Sequence, residues 1–201
     1  MTTLARAAYD MALDAPNVCE ALVALDMCTT TVIRQSRTTL SNIEDLLSRH
    51  KKTRGISQAR RAVALASSRS ASPWETRTRY EAAVGANIDN LMVNVPIFDQ
   101  QARLVGIADL LHEGVGLVIE SDGAGHRGEI PHSKDNVREE SLERLGLVVS
   151  RVTAFDHKDR KQLRIRLGKA RLHASMLECE RRWTLDKPDW WWRWEPGRRW
   201  D

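Results

Sequence analysis

The sequence contains no apolar run near the roughly 18 residues that a membrane-spanning helix needs. Its first residues, Met1 to Arg6, lack the basic segment and the apolar stretch of a secretory signal. There are only three cysteines, Cys19, Cys28 and Cys179, and their spacing matches neither a zinc site nor a disulfide framework. These absences predict a cytoplasmic protein with reduced thiols and no membrane contact.

Aromatic residues are scarce outside the C-terminal tail. Six of the seven tryptophans lie at or after residue 183, and the chain has only two tyrosines and two phenylalanines. The core of the preceding body is therefore expected to be aliphatic. The five tryptophans from Trp190 to Trp200 cannot all be well hydrated. They could pack on the body, dock on a second copy or a protein partner, or stack on unpaired bases.

Charge is spread unevenly along the chain. Residues 1–70 carry ten basic and six acidic side chains. Residues 71–126 carry three basic and eight acidic side chains, and residues 127–201 carry eighteen basic and thirteen acidic ones. An acidic middle between basic flanks is a poor pattern for a simple nucleic-acid coat protein. It suits an acidic site within a basic surface.

The pattern predicts three regions. Residues 1–70 read as a helical N-terminal region, in which Asn17 followed by Glu20 indicates a capping box. The serine-rich stretch 67–72 is interpreted as a hinge. Residues 71–157 read as an α/β core. Residues 158–201 read as a basic helix from Lys158 to Arg182, which could be either a solvated helix face or a phosphate-tracking surface, followed by the tryptophan-rich tail.

The middle region changes from helical to strand-like periodicity. Ser72, Pro73 and Glu75 are typical of a helix start, and Gly85 of its end. Four strands and one further helix follow in the order strand, strand, strand, helix, strand: 91–97, 104–111, 115–120, 133–145 and 147–152. This order predicts an α/β fold with a short mixed sheet.

Three acidic residues fall at the ends of predicted strands. Asp109 lies near the end of the second strand, and Glu120 and Asp122 end the third. If these strands pair as a hairpin, Asp109 can approach Glu120 across the ladder. Converging carboxylates suit Mg²⁺ or Mn²⁺, which can orient a water for phosphodiester cleavage. The alternative is an ordinary turn beginning at Asp122 and a strand-end carboxylate at Asp109.

Several segments together resemble a known endonuclease family. They are, in order, 22–26, 60–61, 72–75, 120–126, 134–138, 142–146 and 149–153. Their order and spacing are similar to the very-short-patch-repair-type endonuclease domain of the PD-(D/E)XK superfamily. In actinobacterial proteins that domain often follows an AbiEi-type antitoxin region. The resemblance covers about residues 4–157 and implies a restriction-endonuclease-like mixed sheet flanked by helices, preceded by a small helical region.

The resemblance also implies roles for individual residues. Asp109 and Glu120 would be the principal ligands of Mg²⁺ or Mn²⁺, with Asp122 at the position where the superfamily usually has lysine. Glu75 would reach toward the metal from the preceding helix, and His126 would be a general base or a phosphate contact. The expected DNA contacts from the following helix, the last strand and the basic flank are Lys134, Arg138, Arg151, Lys158 and Lys161.

Plainer interpretations stand beside these roles. Glu75 is equally explained as a capping residue, His126 as a loop histidine and Arg138 as a solvated helix residue. Aspartate in place of lysine after Glu120 is usual in this branch of the family. Fuller relatives carry a winged-helix region ahead of the part equivalent to Leu4, so DNA targeting could instead depend on a partner.

Two functions therefore follow from the sequence. The first is a Mg²⁺- or Mn²⁺-dependent DNA endonuclease that hydrolyses phosphodiester bonds in defence or DNA repair. The alternative is a catalytically silent DNA-binding or regulatory protein of the same fold, similar to an antitoxin. A homodimer or a protein partner, bound through the tryptophan-rich tail, is a further expectation.

Overall fold

The computed structural model describes residues 2–32, 38–122 and 132–194; for residues 132–137 and 194 it describes the backbone alone. The chain divides into two compact units, which we name unit 1 and unit 2. Unit 1 ends at Arg77, and unit 2 begins at Thr78.

Unit 1 is helical, as the sequence predicted. It contains four helices and the start of a fifth: α1 (Leu4–Asp14), α2 (Val18–Thr29), α3 (Leu40–Arg49), α4 (Ile56–Leu65) and α5 (Pro73–Tyr80). The predicted cap of α2 is confirmed, because the Asn17 side chain accepts a hydrogen bond of 3.0 Å from the Glu20 backbone N–H. The small buried core of these helices is largely aliphatic and includes Ala8, Ala12, Leu22, Leu25, Ile43, Leu47, Ala59 and Ala62.

A buried carboxylate ties the serine-rich stretch to α2. Asp26 is fully buried; its Oδ1 accepts from the Ser67 backbone N–H at 2.8 Å, and its Oδ2 accepts from the Thr76 hydroxyl at 2.8 Å. Nearby, the Thr30 hydroxyl donates to the Ser70 carbonyl at 2.7 Å. The stretch that was interpreted as a hinge is thus hydrogen-bonded to the end of α2, and these bonds all lie within unit 1.

Unit 2 contains a sheet and its flanking helices. Its elements are a π-helical turn at Glu81–Gly85 that continues α5, then β1 (Leu91–Asp99), β2 (Leu104–His112), β3 (Leu117–Asp122), α6 (His132–Arg144), β4 (Val148–Thr153), α7 (Arg160–Met176), β5 (Trp183–Thr184) and α8 (Trp191–Trp194). The four predicted strands and the helix before β4 are confirmed within a few residues. The helix end at Gly85 is confirmed as well.

The sheet is mixed and has the strand order β4-β3-β2-β1-β5. β1, β2 and β3 form an antiparallel meander, and β5 adds to β1 in the antiparallel sense. β4 pairs in parallel with β3, and α6 lies between these two strands in the chain. The α/β class with a five-stranded mixed sheet flanked by helices is therefore established.

The two faces of the sheet bury separate apolar clusters. On one face, Leu163 and Leu167 of α7 pack with a cluster that includes Leu117 and Ile119 of β3. On the other face, Leu142 of α6 packs with a cluster that includes Val118. Successive residues of β3 thus enter opposite clusters, as side chains of a strand covered on both faces must.

One prediction about the C-terminal region is wrong. The helix that was expected to reach Arg182 ends at Met176, and Trp183 and Thr184 form the edge strand β5. The Trp183 ring is buried in the α6-side cluster. Burial of this large ring in the α6-side cluster stabilises the extended segment that pairs with β1.

The tryptophan tail packs on the body at two positions. The rings of Trp190 and Trp191 contact the ring of buried Phe98 edge-on, with centroids 5.9 and 5.4 Å away. The Trp190 indole N–H donates to the Ala102 carbonyl at 3.0 Å. Packing on the body is therefore confirmed for these two rings, whereas Trp192 is exposed. No helix among the described residues is long and apolar enough to cross a membrane.

We expect Asp26→Ala to lower the free energy of unfolding of unit 1 by about 1–3 kcal/mol, because it removes the acceptor of the half-buried Ser67 N–H and leaves the buried Thr76 hydroxyl only its 3.4 Å contact with the Ser72 carbonyl. Urea unfolding followed by circular dichroism measures the change. The exposed Asp45→Ala on α3 is the control and should change stability by less than about 0.5 kcal/mol. Equal effects of the two substitutions would contradict a structural role for Asp26.

The contribution of Asp156 to the free energy of unfolding of unit 2 is expected to depend on pH. Burial favours a raised pKa, but hydrogen bonds from the Thr153 N–H and hydroxyl and the charge of Arg166 outweigh it and lower the pKa of Asp156. Because the pKa is lower in the folded state, the stabilisation is present at neutral pH and is lost as the pH falls below about 4.

We therefore expect the difference in stability between the wild type and Asp156→Asn to shrink as the pH falls from about 6 to about 3. Urea midpoints at several pH values measure it, with the exposed Asp189→Asn as control. A difference that stays constant over this range would show that ionisation of Asp156 contributes nothing.

Candidate functional site

The two predicted metal ligands follow directly after the last pair in the register of β2 and β3. The antiparallel pairs run from His112 with Leu117 to Leu110 with Ile119. The next positions along this ladder are Asp109 and Glu120. The backbone N–H of Ser121 donates to Asp109 Oδ2 at 2.7 Å, which fixes this carboxylate beside β3. The Asp109 carboxylate thus contacts the end of β3, and its approach to the Glu120 carboxylate stays a prediction.

Arg138 of α6 binds the Glu120 carboxylate. Its Nη2 atom lies 2.7 Å from Glu120 Oε1 and 2.6 Å from the Ile107 carbonyl oxygen. The guanidinium therefore joins α6 to both β2 and β3. Glu120 is mostly covered, with a side chain 17% exposed, so this ion pair is stronger than one on the open surface. Arg138 is consequently more than the solvated helix residue of the plainer interpretation.

A glycine of β2 makes room for Arg138. A Cβ atom at Gly106 would lie 2.8 Å from Arg138 Nε, which is closer than such atoms approach. The sequence signal for this packing was an isolated glycine within a strand, which often marks a close approach. Sequence reasoning did not use it, because nothing in the local pattern indicates which side chain fills the space.

A second ion pair lies beside the first. Arg151 of β4 is opposite Glu120 of β3 in the parallel register, and its Nε is 2.9 Å from Glu139 Oε2 on α6. Arg138 and Arg151 therefore both contact carboxylates between α6 and the sheet. Two ion pairs, Arg138–Glu120 and Arg151–Glu139, thus lie between α6 and the end of β3, where the prediction placed metal ligands and DNA contacts.

The remaining acidic candidates differ in their surroundings. Asp122 is exposed at the end of β3, opposite Thr153 of β4. Glu75 lies in unit 1, where its backbone N–H donates to the Ser72 hydroxyl at 3.2 Å and its Oε2 accepts from the Ala71 N–H at 2.8 Å. The capping interpretation of Glu75 is confirmed by these two bonds. Its catalytic role stays a prediction.

The structure describes only some of the side chains that were predicted to contact DNA or to act as a base. His126 lies outside the described residues, as does the side chain of Lys134. Lys158 is exposed just before α7, with its ammonium 4.9 Å from the centre of the Phe155 ring. Lys161 is exposed in the first turn of α7. Both lysines are accessible to an anionic partner.

The donor set fits a divalent cation only in part. Within the described residues, no group of three or more His, Cys, Asp or Glu side chains could hold a metal ion. Asp109 and Glu120 supply two carboxylates, and Mg²⁺ is commonly held by one or two carboxylates together with waters and substrate phosphates. A Mg²⁺ ion at this pair would therefore need waters and substrate phosphates as its remaining ligands.

Comparison of the chain with family models, with curated proteins and with solved structures gives no match. At the end of the β2–β3 hairpin of unit 2, the Asp109 carboxylate accepts from the Ser121 N–H and the Glu120 carboxylate pairs with Arg138.

A double-mutant cycle tests the packing of this site. Gly106→Ala should destabilise unit 2 by about 1–3 kcal/mol, because the new methyl group displaces the Arg138 guanidinium. In an Arg138→Ala background the same change should cost about 1 kcal/mol less or be neutral. Unfolding in urea measures the coupling. Gly114→Ala is the control, because a Cβ there would be 3.4 Å from the His112 ring, an ordinary contact. Strict additivity would contradict the packing.

Proposed function

We propose that this protein is a metal-dependent endonuclease that hydrolyses phosphodiester bonds of DNA at the end of the β2–β3 hairpin. The observation that carries the proposal is the contact of the Asp109 carboxylate with the end of β3, where the Ser121 N–H next to Glu120 donates to it at 2.7 Å. The resemblance to very-short-patch-repair-type endonucleases and their restriction-endonuclease-like fold points to the same chemistry. A role in defence or DNA repair follows from that resemblance.

Each side chain has a task in this proposal. When bound, Mg²⁺ or Mn²⁺ supplies Lewis acidity and lowers the pKa of a coordinated water. Asp109 and Glu120 hold the cation, and the Ser121 N–H keeps the Asp109 carboxylate oriented. Arg138 orients Glu120 and adds positive charge where a phosphate would lie. Asp122 and His126 remain candidates for moving the proton of the water.

DNA would approach along basic groups of unit 2. Arg151 lies beside the site, and Lys158 and Lys161 are exposed at the start of α7. Lysines that bind phosphates release counterions from DNA, so binding that uses these residues weakens as salt rises. Lys134 belongs to the same proposed set.

Incubation of the protein with plasmid, linear duplex and single-stranded DNA, each with Mg²⁺ or Mn²⁺, tests the proposal. We expect cleavage that falls about a hundredfold or more in Asp109→Ala and in Glu120→Gln. The exposed Glu178→Ala is the matched control and should cleave as the wild type does. Circular dichroism verifies that each variant is folded. Undiminished cleavage in both site variants would refute the site, and no cleavage of any substrate would refute the activity.

The Arg138–Glu120 ion pair favours a second candidate, a catalytically silent DNA-binding regulator similar to an antitoxin. A guanidinium 2.7 Å from Glu120 Oε1 already balances one carboxylate charge and competes with a cation for it. Calorimetric titration with Mn²⁺, together with DNA binding in EDTA, separates the two candidates. Metal-independent DNA binding without Mn²⁺ binding would favour the regulator, whereas Mn²⁺ binding that is lost in Asp109→Ala would favour the nuclease.

A further inference from the structure

The turn that follows β4 presents a phenylalanine ring to solvent. Phe155 is 75% exposed, the highest value for a large apolar side chain among the described residues. One exposed apolar side chain is ordinary on a protein surface. This ring is distinguished by its position at the end of the sheet, by the hydrogen bonds that fix its turn and by the charges beside it.

The strand directions place this turn at the end of the sheet that carries Asp109 and Glu120. β3 and β4 are parallel and end together, with Asp122 opposite Thr153. β2 is antiparallel to β3, so Asp109 lies at the same end. Phe155 follows Thr153 by two residues. Neighbouring strands are about 4.8 Å apart, so the turn begins one strand spacing from the end of β3.

Hydrogen bonds hold this turn in one conformation. Asp156 Oδ2 accepts from both the backbone N–H and the hydroxyl of Thr153, each at 2.8 Å. Asp156 Oδ1 pairs with Arg166 of α7 at 2.9 Å, and the Lys158 N–H donates to the Phe155 carbonyl at 3.0 Å. The ring is therefore presented by a fixed backbone, which reduces the entropy lost when a ligand packs on it.

The charges beside the ring favour an anionic ligand with an aromatic group. The Lys158 ammonium lies over the Phe155 ring, 4.9 Å from its centre. Lys161 is exposed in the first turn of α7. The acidic groups of the same segment are engaged within the protein: Asp156 as described above, and Asp159 as the acceptor of the Gln162 backbone N–H at 3.1 Å. The exposed ring and the two lysines together match a nucleobase and the phosphates beside it.

We propose that Phe155 is a stacking site for an unpaired nucleobase, with Lys158 and Lys161 bound to the phosphates beside that base. Inside a duplex both faces of each base are covered by its neighbours, so only an unpaired or terminal base can stack on the ring without an unstacking cost. The preferred substrate is therefore DNA with unpaired bases near the carboxylates at the end of β3. This inference rests on the DNA binding that both proposed functions share, and it does not require cleavage.

A protein partner is a poorer occupant of this ring. A stable protein contact buries about 800 Å² on each side around an apolar centre. Phe155 is instead followed by Asp156, His157 and Lys158, which are charged or polar. A nucleobase needs only one aromatic face and nearby cations, and the turn supplies both.

Fluorescence anisotropy with a labelled single-stranded oligonucleotide, in EDTA to prevent cleavage, tests the stacking site. We expect Phe155→Leu to raise the Kd about tenfold, because leucine is apolar but has no aromatic face, and Phe155→Trp to bind at least as tightly as the wild type. Met176→Ala is the matched control, since Met176 is 72% exposed at the other end of α7. Equal affinities of the wild type and of both Phe155 variants would overturn the proposal, and so would an absence of binding at low salt.

Blunt duplex DNA of the same sequence tests the preference for unpaired bases. We expect the wild type to bind the single strand more tightly than the duplex, and Phe155→Leu to lose this preference while its affinity for the duplex is unchanged. Lys161→Gln should instead weaken binding to both DNAs by a similar factor and reduce the dependence on salt, because it removes a phosphate contact. If Phe155→Leu weakened binding to both DNAs equally, the ring would not select unpaired bases and the stacking site would be wrong.

Cleavage assays separate this inference from the nuclease proposal. A preference for single strands that depends on Phe155, in a protein that cleaves no DNA, would refute the nuclease and support the stacking site. Cleavage that is abolished in Asp109→Ala, together with a Phe155→Leu variant that binds every DNA as the wild type does, would support the nuclease and refute the stacking site. Circular dichroism verifies that each of these variants is folded.

Discussion

Burial of β3 on both faces is the constraint on which the geometry of unit 2 depends. Leu117, Val118 and Ile119 are fully buried, and they alternate between the α7-side and α6-side clusters. A one-residue slip of this strand would exchange the two faces, so the register is strongly fixed. Because the register is fixed, the next residue, Glu120, lies opposite Arg151 of β4, and the Ser121 N–H that follows it donates to the Asp109 carboxylate of β2. The apolar core thus determines which charges meet.

The charged cluster at the end of β3 places a cation beside a carboxylate that is mostly covered, Glu120. Carboxylates gathered at one strand end repel each other unless a cation lies near them. Arg138 provides that cation from the protein itself, and the absence of a side chain at Gly106 leaves room for its guanidinium. The same guanidinium serves two proposed functions differently. In a nuclease it would orient Glu120 beside a metal, and in a silent regulator it would replace the metal. Both functions require a positive charge beside the Glu120 carboxylate.

Much of the fold could be predicted from the sequence because its strands and caps are encoded locally. The apolar run before Glu120 indicated a central strand, and Asn17 and Ser72 indicated helix starts, all of which the structure contains. The edge strand at Trp183 could not be predicted in this way. Two residues have no periodicity, and their partner on β1 is more than 80 residues away in the chain. The hydrogen bond between Asp26 and Ser67 could not be predicted from the local sequence either, because the two residues are 41 positions apart in the chain.

The site could be predicted in its acidic half and not in its basic half. Asp109 and Glu120 follow from hairpin pairing, which is a short-range rule. The partners of Arg138 and Arg151 depend on how α6 crosses from β3 to β4 and packs on the sheet, and no local pattern encodes that crossing. An arginine in the sequence is compatible with a phosphate contact or with a protein carboxylate. The choice is made by tertiary packing, which here gives both guanidinium groups carboxylate partners within the protein.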